Sequence, residues 1–168
     1  MYKRIVLAAA LATAFAPTLS LHAQSGEVKR IGDAKSLFSS AIWVGDTVYL
    51  SGTMAPVDIP ADAAKGTPAS YKGDTKAQAI AAIQAIQKQL QTVGLDLGDI
   101  VQMQAFLTGD PAKGGQMDVV GWNEAYKQFF GTAQQPNKPV RATVQVAALV
   151  VPTGRIEIMV IAARHPAK

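Results

Sequence analysis

Two ionisable residues in the last third of the chain lie in runs that otherwise exclude charge. Arg141 opens the run Arg141-Ala142-Thr143-Val144-Gln145-Val146-Ala147, which is β-branched, apolar and alternating and so reads as a strand. A turn at Val151-Pro152-Thr153-Gly154 returns the chain as Arg155-Ile156-Glu157-Ile158-Met159-Val160-Ile161-Ala162. With a side-chain period of two, Glu157 shares a face with Met159 and Ile161, while Ile156, Ile158 and Val160 take the other. Both faces are apolar, which predicts a strand covered on both sides. A lone carboxylate buried there costs several kcal/mol, so Glu157 must be protonated, hydrogen-bonded or paired. Arg141 is the nearest plausible guanidinium. A guanidinium is a planar fork that grips a carboxylate through two parallel hydrogen bonds, so an Arg–Glu pair at a strand end suggests a site for small carboxylates. The alternative reading of the same pair, given less weight, is a structural ion pair at a subunit boundary.

Other chemistries lack their residues. The chain has no Cys and two His, which removes disulfides, thiolate metal sites and a Cys nucleophile. His22 falls in the N-terminal leader described below, and His165 stands alone in the C-terminal tail. No G-x-S-x-G elbow is present to make a Ser nucleophile. Lys113-Gly114-Gly115 lacks the spacing of a P-loop or a dinucleotide fingerprint and reads as a turn. No metal site and no cofactor are expected, and cofactor-free chemistry remains.

The elements that must hold Arg141 and Glu157 follow from periodicity. Gln24 to Ser36 is polar and is expected to be loosely held. Ala41-Ile42-Trp43-Val44, Gly45-Asp46 and Thr47-Val48-Tyr49-Leu50-Ser51-Gly52 read as a β-hairpin. Met54 to Gly73 is rich in Ala, Pro and Gly and has no period, so it reads as a long loop that could cover a cleft. Asp74 is an N-cap for a helix to about Val93, with Ile80, Ile83, Ile86, Leu90 and Val93 on one stripe and Gln and Lys opposite. Asp99 to Leu107 alternates as a strand. Asp118 to Phe130 reads as a second helix, with Val119, Trp122, Tyr126 and Phe129 inward. Trp43, Tyr49, Trp122 and Phe129 are assigned to the core. The order ββαβαββ predicts an α+β domain: a mixed sheet with both helices on one face. The other face is apolar too, so oligomerisation is expected to cover it.

The first residues stand apart from this domain. Met1-Tyr2-Lys3-Arg4 is a short basic start, Ile5 to Ala16 is an apolar run, and Leu21-His22-Ala23 offers a small-residue cleavage site. These are the parts of a Sec-type secretory signal peptide, and the run is shorter than the ~20 apolar residues that span a bilayer. The expectation is a signal peptide over 1–23, a single domain over 24–168 and a periplasmic location. Lys3 and Arg4 leave with the signal and no acid does, so the formal charge falls from +4 to +2. With no basic stripe in the rest, neither a nucleic acid nor, after cleavage, a membrane is an expected partner.

Together these segments resemble the YjgF/RidA/L-PSP family. The matching pieces are Thr47-Val48-Tyr49-Leu50-Ser51-Gly52, Asn123-Glu124-Ala125-Tyr126-Lys127-Gln128-Phe129-Phe130, and Pro139-Val140-Arg141-Ala142-Thr143-Val144 with Ile156-Glu157-Ile158. They run in the same order over essentially the whole chain beyond the leader. The resemblance implies a chorismate-mutase-like fold, a homotrimer with a ligand cleft between neighbouring subunits, and hydrolysis of 2-enamino or 2-imino acids to 2-oxo acids and ammonia. It also implies roles. Arg141 binds the substrate carboxylate, Glu157 places or activates water, the Gly52 backbone meets the nitrogen end, and Asn123 and Thr143 line the pocket.

Three positions depart from the family pattern. Phe38 stands where deaminating relatives usually have Tyr, Thr143 where the best-known members have Cys, and Thr53 where Gln is commoner. Two functions are therefore carried forward: a cofactor-independent imine deaminase, and a non-catalytic exported binder of small carboxylates that uses the same pocket. The family label also carries an endoribonuclease activity, for which a charge near +2 predicts negligible affinity.

Overall fold

The computed structural model describes residues 27–164. The signal peptide expected over 1–23 and His165 lie outside them. Strands β1 (Val28–Ile31), β2 (Ala41–Val44), β3 (Thr47–Leu50), β4 (Ile100–Thr108), β5 (Val140–Val146) and β6 (Ile156–Ala163) form one sheet, in the order β1-β2-β3-β6-β4-β5. Only β4 and β5 pair in parallel, so the sheet is mixed. Helices α1 (Thr75–Thr92) and α2 (Val119–Tyr126) lie on the same side of it. The expected α+β plan holds, with one strand added in front. Val28 to Ile31, expected to be loose, pairs with β2 from Val28↔Val44 to Ile31↔Ala41. Four residues of an exposed edge strand are too short and too polar to display an alternating signature.

The termini of the elements are chemically marked. Gly45 takes a φ of 57° at the first position of the two-residue β2–β3 turn, a conformation costly for a side chain. Asp74 caps α1 by accepting from the Ala77 amide at 2.8 Å, and Asp118 caps α2 by accepting from Gly121 at 3.1 Å. From α1, Ala79, Ala82, Ile83, Ile86 and Leu90 are fully buried against Met103, Leu107, Ile156 and Ile158 of the sheet. Helix α2 stops at Tyr126, short of the expected Phe130, and the chain turns so that Phe130 is buried. Val119, expected inward, is exposed at the first turn of α2.

One buried polar residue ties the layers together. Gln78, placed by periodicity on the polar side of α1, is buried; its amide donates to the carbonyls of Gly73 and Thr153 and its oxygen accepts from the Arg155 amide. These bonds hold the β5–β6 turn against the start of α1, and so fix where β6 begins.

Among the described residues, no helix covers the far side of the sheet. Tyr49, expected in the core, is 46% exposed there, and Met159 is 40% exposed. The expectation that β6 is shielded on both faces is met only on the helix side. Among the described residues, no helix is long and apolar enough to cross a membrane.

Candidate functional site

Strand parity decides where the two charged residues go. Arg141 is registered with Met103, which is fully buried beneath the helices, so Arg141 projects on the helix side. Glu157 is registered with Phe106 one strand nearer the centre, on the open side. The two residues therefore stand on opposite faces, with β4 between their strands. Arg141 and Glu157 do not pair within one chain, contrary to the sequence expectation. The physical reason is simple: adjacency of strands in sequence says nothing of a third strand inserted between them, and parity then separates the faces.

Arg141 is held without a carboxylate. It donates to Asn123 Oδ1 at 2.7 Å, and its guanidinium carbon lies 4.5 Å from the Tyr126 ring centroid and 5.3 Å from that of Trp122. Cation–π contact and one amide oxygen orient the fork, whose planar geometry suits a carboxylate. The ion pairs among the described residues include Lys65–Asp62, Lys76–Glu124, Lys113–Asp118 and Arg164–Asp46, and none of these acids neutralises Arg141. Trp122 meets Tyr126 edge-on at 5.7 Å and Tyr126 stacks on Phe130 at 4.7 Å, a rigid aromatic floor. Burial raises the Tyr126 phenol above its ordinary pKa and the Arg141 charge draws it back, so the phenol is neutral at physiological pH. Thr143, two residues along β5, accepts from the fully buried Trp122 indole at 3.1 Å. Arg141, Asn123 and Thr143 are thus brought together around Trp122; Arg141 and Asn123 line a hollow of about 440 Å³, whereas Thr143 is not among its lining residues and turns its hydroxyl to the indole instead.

Glu157 belongs to a second cluster. Its carboxylate lies where a Cβ on residue 52 would stand, so only Gly52 admits it. Thr53 exchanges backbone hydrogen bonds with Ile158 at 2.9 Å in both directions, which carries the chain after β3 alongside β6 and seats Gly52 and Met54 on the Glu157 face. The Tyr71 hydroxyl donates to Met54 Sδ at 3.7 Å, and the Tyr71 amide donates to Thr153 Oγ1 at 2.7 Å. Burial, and then the negative charge of Glu157, raise the Tyr71 phenol above its ordinary pKa. Sequence reasoning missed Tyr71. The available signal was a solitary aromatic residue in the aperiodic Met54–Gly73 stretch, which periodicity does not score.

Phe38 is 68% exposed on the loop before β2. That loop is tied to the second cluster, because Ser51 donates through its hydroxyl to the Ser39 carbonyl and through its amide to that of Ser40. The expected site residues therefore divide into two groups, Arg141, Asn123 and Thr143 in one, Gly52 and Glu157 with the Phe38 loop in the other. A single chain does not unite them. Among the described residues, no three His, Asp or Glu side chains cluster to hold a metal ion.

Known proteins share this architecture. The family described as "Endoribonuclease L-PSP" matches residues 29–164. The TdcF protein of Escherichia coli K12, which bears a provisional name as a reactive intermediate deaminase, is 30% identical over 138 residues, 82% of this chain and 95% of that protein. The crystal structure of E. coli TdcF with bound serine superposes with a TM-score of 0.57 at 28% identity, covering 83% of this chain and 98% of that one. A YjgF-family protein from Neisseria meningitidis, at 22% identity, shares the fold with a TM-score of 0.62 over 85% of this chain and 99% of its own.

Proposed function

The chain belongs to the YjgF/L-PSP family, and on that footing we propose that it hydrolyses small 2-imino and 2-enamino acids to 2-oxo acids and ammonia, without a cofactor. The observation that carries this reading is the Arg141 guanidinium, oriented by Asn123 and two aromatic rings and outside the ion pairs found among the described residues. A fork held ready and unneutralised beside a hollow is what a substrate carboxylate needs.

The two half-sites complete one another between copies of the chain. The open sheet face, with Tyr49 and Met159 exposed, is covered in a homotrimer, and Glu157 with Gly52 of one copy faces Arg141 of a neighbour. Arg141 fixes the carboxylate. Glu157 accepts a proton from water as the water oxygen bonds to the imine carbon; the C=N electron pair moves onto nitrogen, which takes a proton. The amino nitrogen of the resulting carbinolamine takes a second proton, the C–N bond breaks with its electron pair leaving on ammonia, and the hydroxyl gives up its proton as the carbonyl forms, so that protons balance. The imine carbon is already electrophilic, so orientation and proton transfer suffice. The protein is exported by a Sec-type signal cleaved near Ala23 to act in the periplasm; an exported protein still beginning at Met1 would reject that part.

The test is ammonia release from freshly generated 2-iminobutanoate by the wild type and by Arg141→Ala. The variant should lose about 10- to 100-fold in turnover, the worth of a hydrogen-bonded charge. Equal rates in the two proteins would overturn the assignment. Thermal stabilisation by 2-oxobutanoate with no acceleration by the wild type would instead make the protein a carboxylate binder.

A further inference from the structure

The hollow beside Arg141 carries more positive charge than one carboxylate can use. Lys127 and Lys138 line it together with Arg141, Asn123, Tyr126 and Phe130, and no Asp or Glu contributes to its lining. Lys138 is directed there by packing: its side-chain stem lies against Gly131, at the place a Cβ would take, where Gly131 turns the chain with a φ of 72°. Lys127 follows the last turn of α2, its amide bonded to the Asn123 carbonyl at 3.1 Å, so it leaves the helix beside the residue that holds Arg141. The nearest acid on α2, Glu124, feels Lys127 but accepts its hydrogen bond from Lys76 at 2.8 Å. Three cations around one concavity repel each other and draw in anions. A single carboxylate on the Arg141 fork leaves the two ammonium groups without a counter-charge inside the hollow.

We propose that this hollow selects 2-imino and 2-oxo acids bearing a second carboxylate, the first held by Arg141 and the second by Lys127 and Lys138. The inference rests on the proposed function for the seat of the first carboxylate. A volume of about 440 Å³ admits such a diacid with water around it.

Calorimetric titration compares 2-oxoglutarate with 2-oxopentanoate, which has the same five carbons and one carboxylate. The mature protein should prefer the diacid by about tenfold at low salt, because two exposed ammonium contacts each add a few-fold. The preference should shrink as ionic strength rises. Lys127→Gln and Lys138→Gln should each remove about threefold of it, while leaving 2-oxopentanoate affinity and the melting temperature unchanged. Equal affinities, or a preference untouched in the double variant, would overturn the proposal. Displacement by inorganic phosphate as effective as by 2-oxoglutarate would assign the lysines to a phosphoryl group and also overturn it. Hydrolysis of the two corresponding imines separates this inference from its premise. A protein that binds the diacid better yet hydrolyses neither imine keeps the diacid site and loses the deaminase; one that hydrolyses both with no diacid preference does the reverse.

Discussion

On the helix-covered face of the sheet, Met103, Leu107, Ile156 and Ile158 are fully buried, whereas across the same strands Tyr49 and Met159 keep 46% and 40% of their surface exposed. The residue types on the two faces differ little. In β6 the successive residues Ile156 to Ala162 alternate between closed and open sides, and both sets are apolar apart from Glu157. What differs is cover: α1 and α2 both pack on one side. An apolar face that the described residues leave uncovered is a candidate contact surface. The chemistry follows the same division. Arg141 stands on the covered side at the outer strand, complete in its supports and lacking a reaction partner. Glu157 stands on the open side, fitted against Gly52 and lacking a substrate anchor. Under the proposed function each face would present half of a site, and assembly of copies is the step that would join them.

The sharpest way to break this comparison is to place the same charge on each face. Met159→Asp should leave a folded single chain by light scattering and abolish turnover, because a carboxylate buried in an interface without a partner costs several kcal/mol. Ile158→Asp, one residue away and facing the helices, should instead yield no folded protein, since its site is closed within the chain. If Met159→Asp stayed assembled and active, the open face would have no part in the site. Next in size is Gly52→Ala. The added methyl occupies the position of the Glu157 carboxylate, so Glu157 must swing away and turnover should fall by about tenfold or more, as misplaced proton-transfer groups do. Unfolding in urea should be nearly unaffected, because Glu157 is only partly buried and its side chain can rotate away. A large loss of stability with normal turnover would show that Gly52 serves the fold alone.

The same division explains what the sequence could and could not reveal. The α1 stripe, the hairpin at Gly45-Asp46 and the alternation of β4 and β6 were legible because burial repeats along a contiguous segment. Residues in β1 were not, since an edge strand with exposed Val28 and charged neighbours has no repeating contrast to detect. Arg141 and Glu157 stood out as charges in apolar runs, and their local environments, an aromatic floor and a glycine gap, follow from sequence neighbours such as Trp122, Tyr126 and Gly52. Their mutual position did not follow. It depends on β4 entering between β5 and β6, a long-range pairing that no local pattern encodes. Tyr71 was hidden for a related reason: it is brought to the Glu157 face by Met54 and Thr153, one 17 residues and the other 82 residues away in the chain.

Smaller effects probe the supports on the covered side. Thr143→Val should cost about 1–3 kcal/mol in urea unfolding, because the Trp122 indole N–H is left buried without an acceptor. Thr143→Ser restores the oxygen and should recover most of the loss, which a pure packing role for the methyl group would not allow. This makes the Thr143 hydroxyl first a support for the ring beneath Arg141, whatever it contributes to a ligand.

The smallest effect concerns the Lys76–Glu124 bridge, 2.8 Å long, between α1 and α2. The hydrogen bond from Lys76, and then its charge, lower the Glu124 pKa below the ordinary carboxylate value; the same bond raises Lys76 above the ordinary amine value. The Glu124 contribution is therefore present above the unfolded carboxylate pKa and is lost as pH falls through the lower folded value. The Lys76 contribution is fully present below the unfolded amine pKa and is lost as pH rises through the higher folded value. Both groups are solvent-exposed, so salt screens the pair and its worth is small at any pH. Glu124→Gln should consequently shift the melting temperature little at neutral pH and not at all in strong acid. Its more telling consequence is at the neighbouring hollow. Removing Glu124 deletes the acid that partly offsets Lys127, so affinity for 2-oxoglutarate should rise slightly at low salt, while that for 2-oxopentanoate stays constant. An equal change for both ligands would mean that Lys127 senses no second carboxylate.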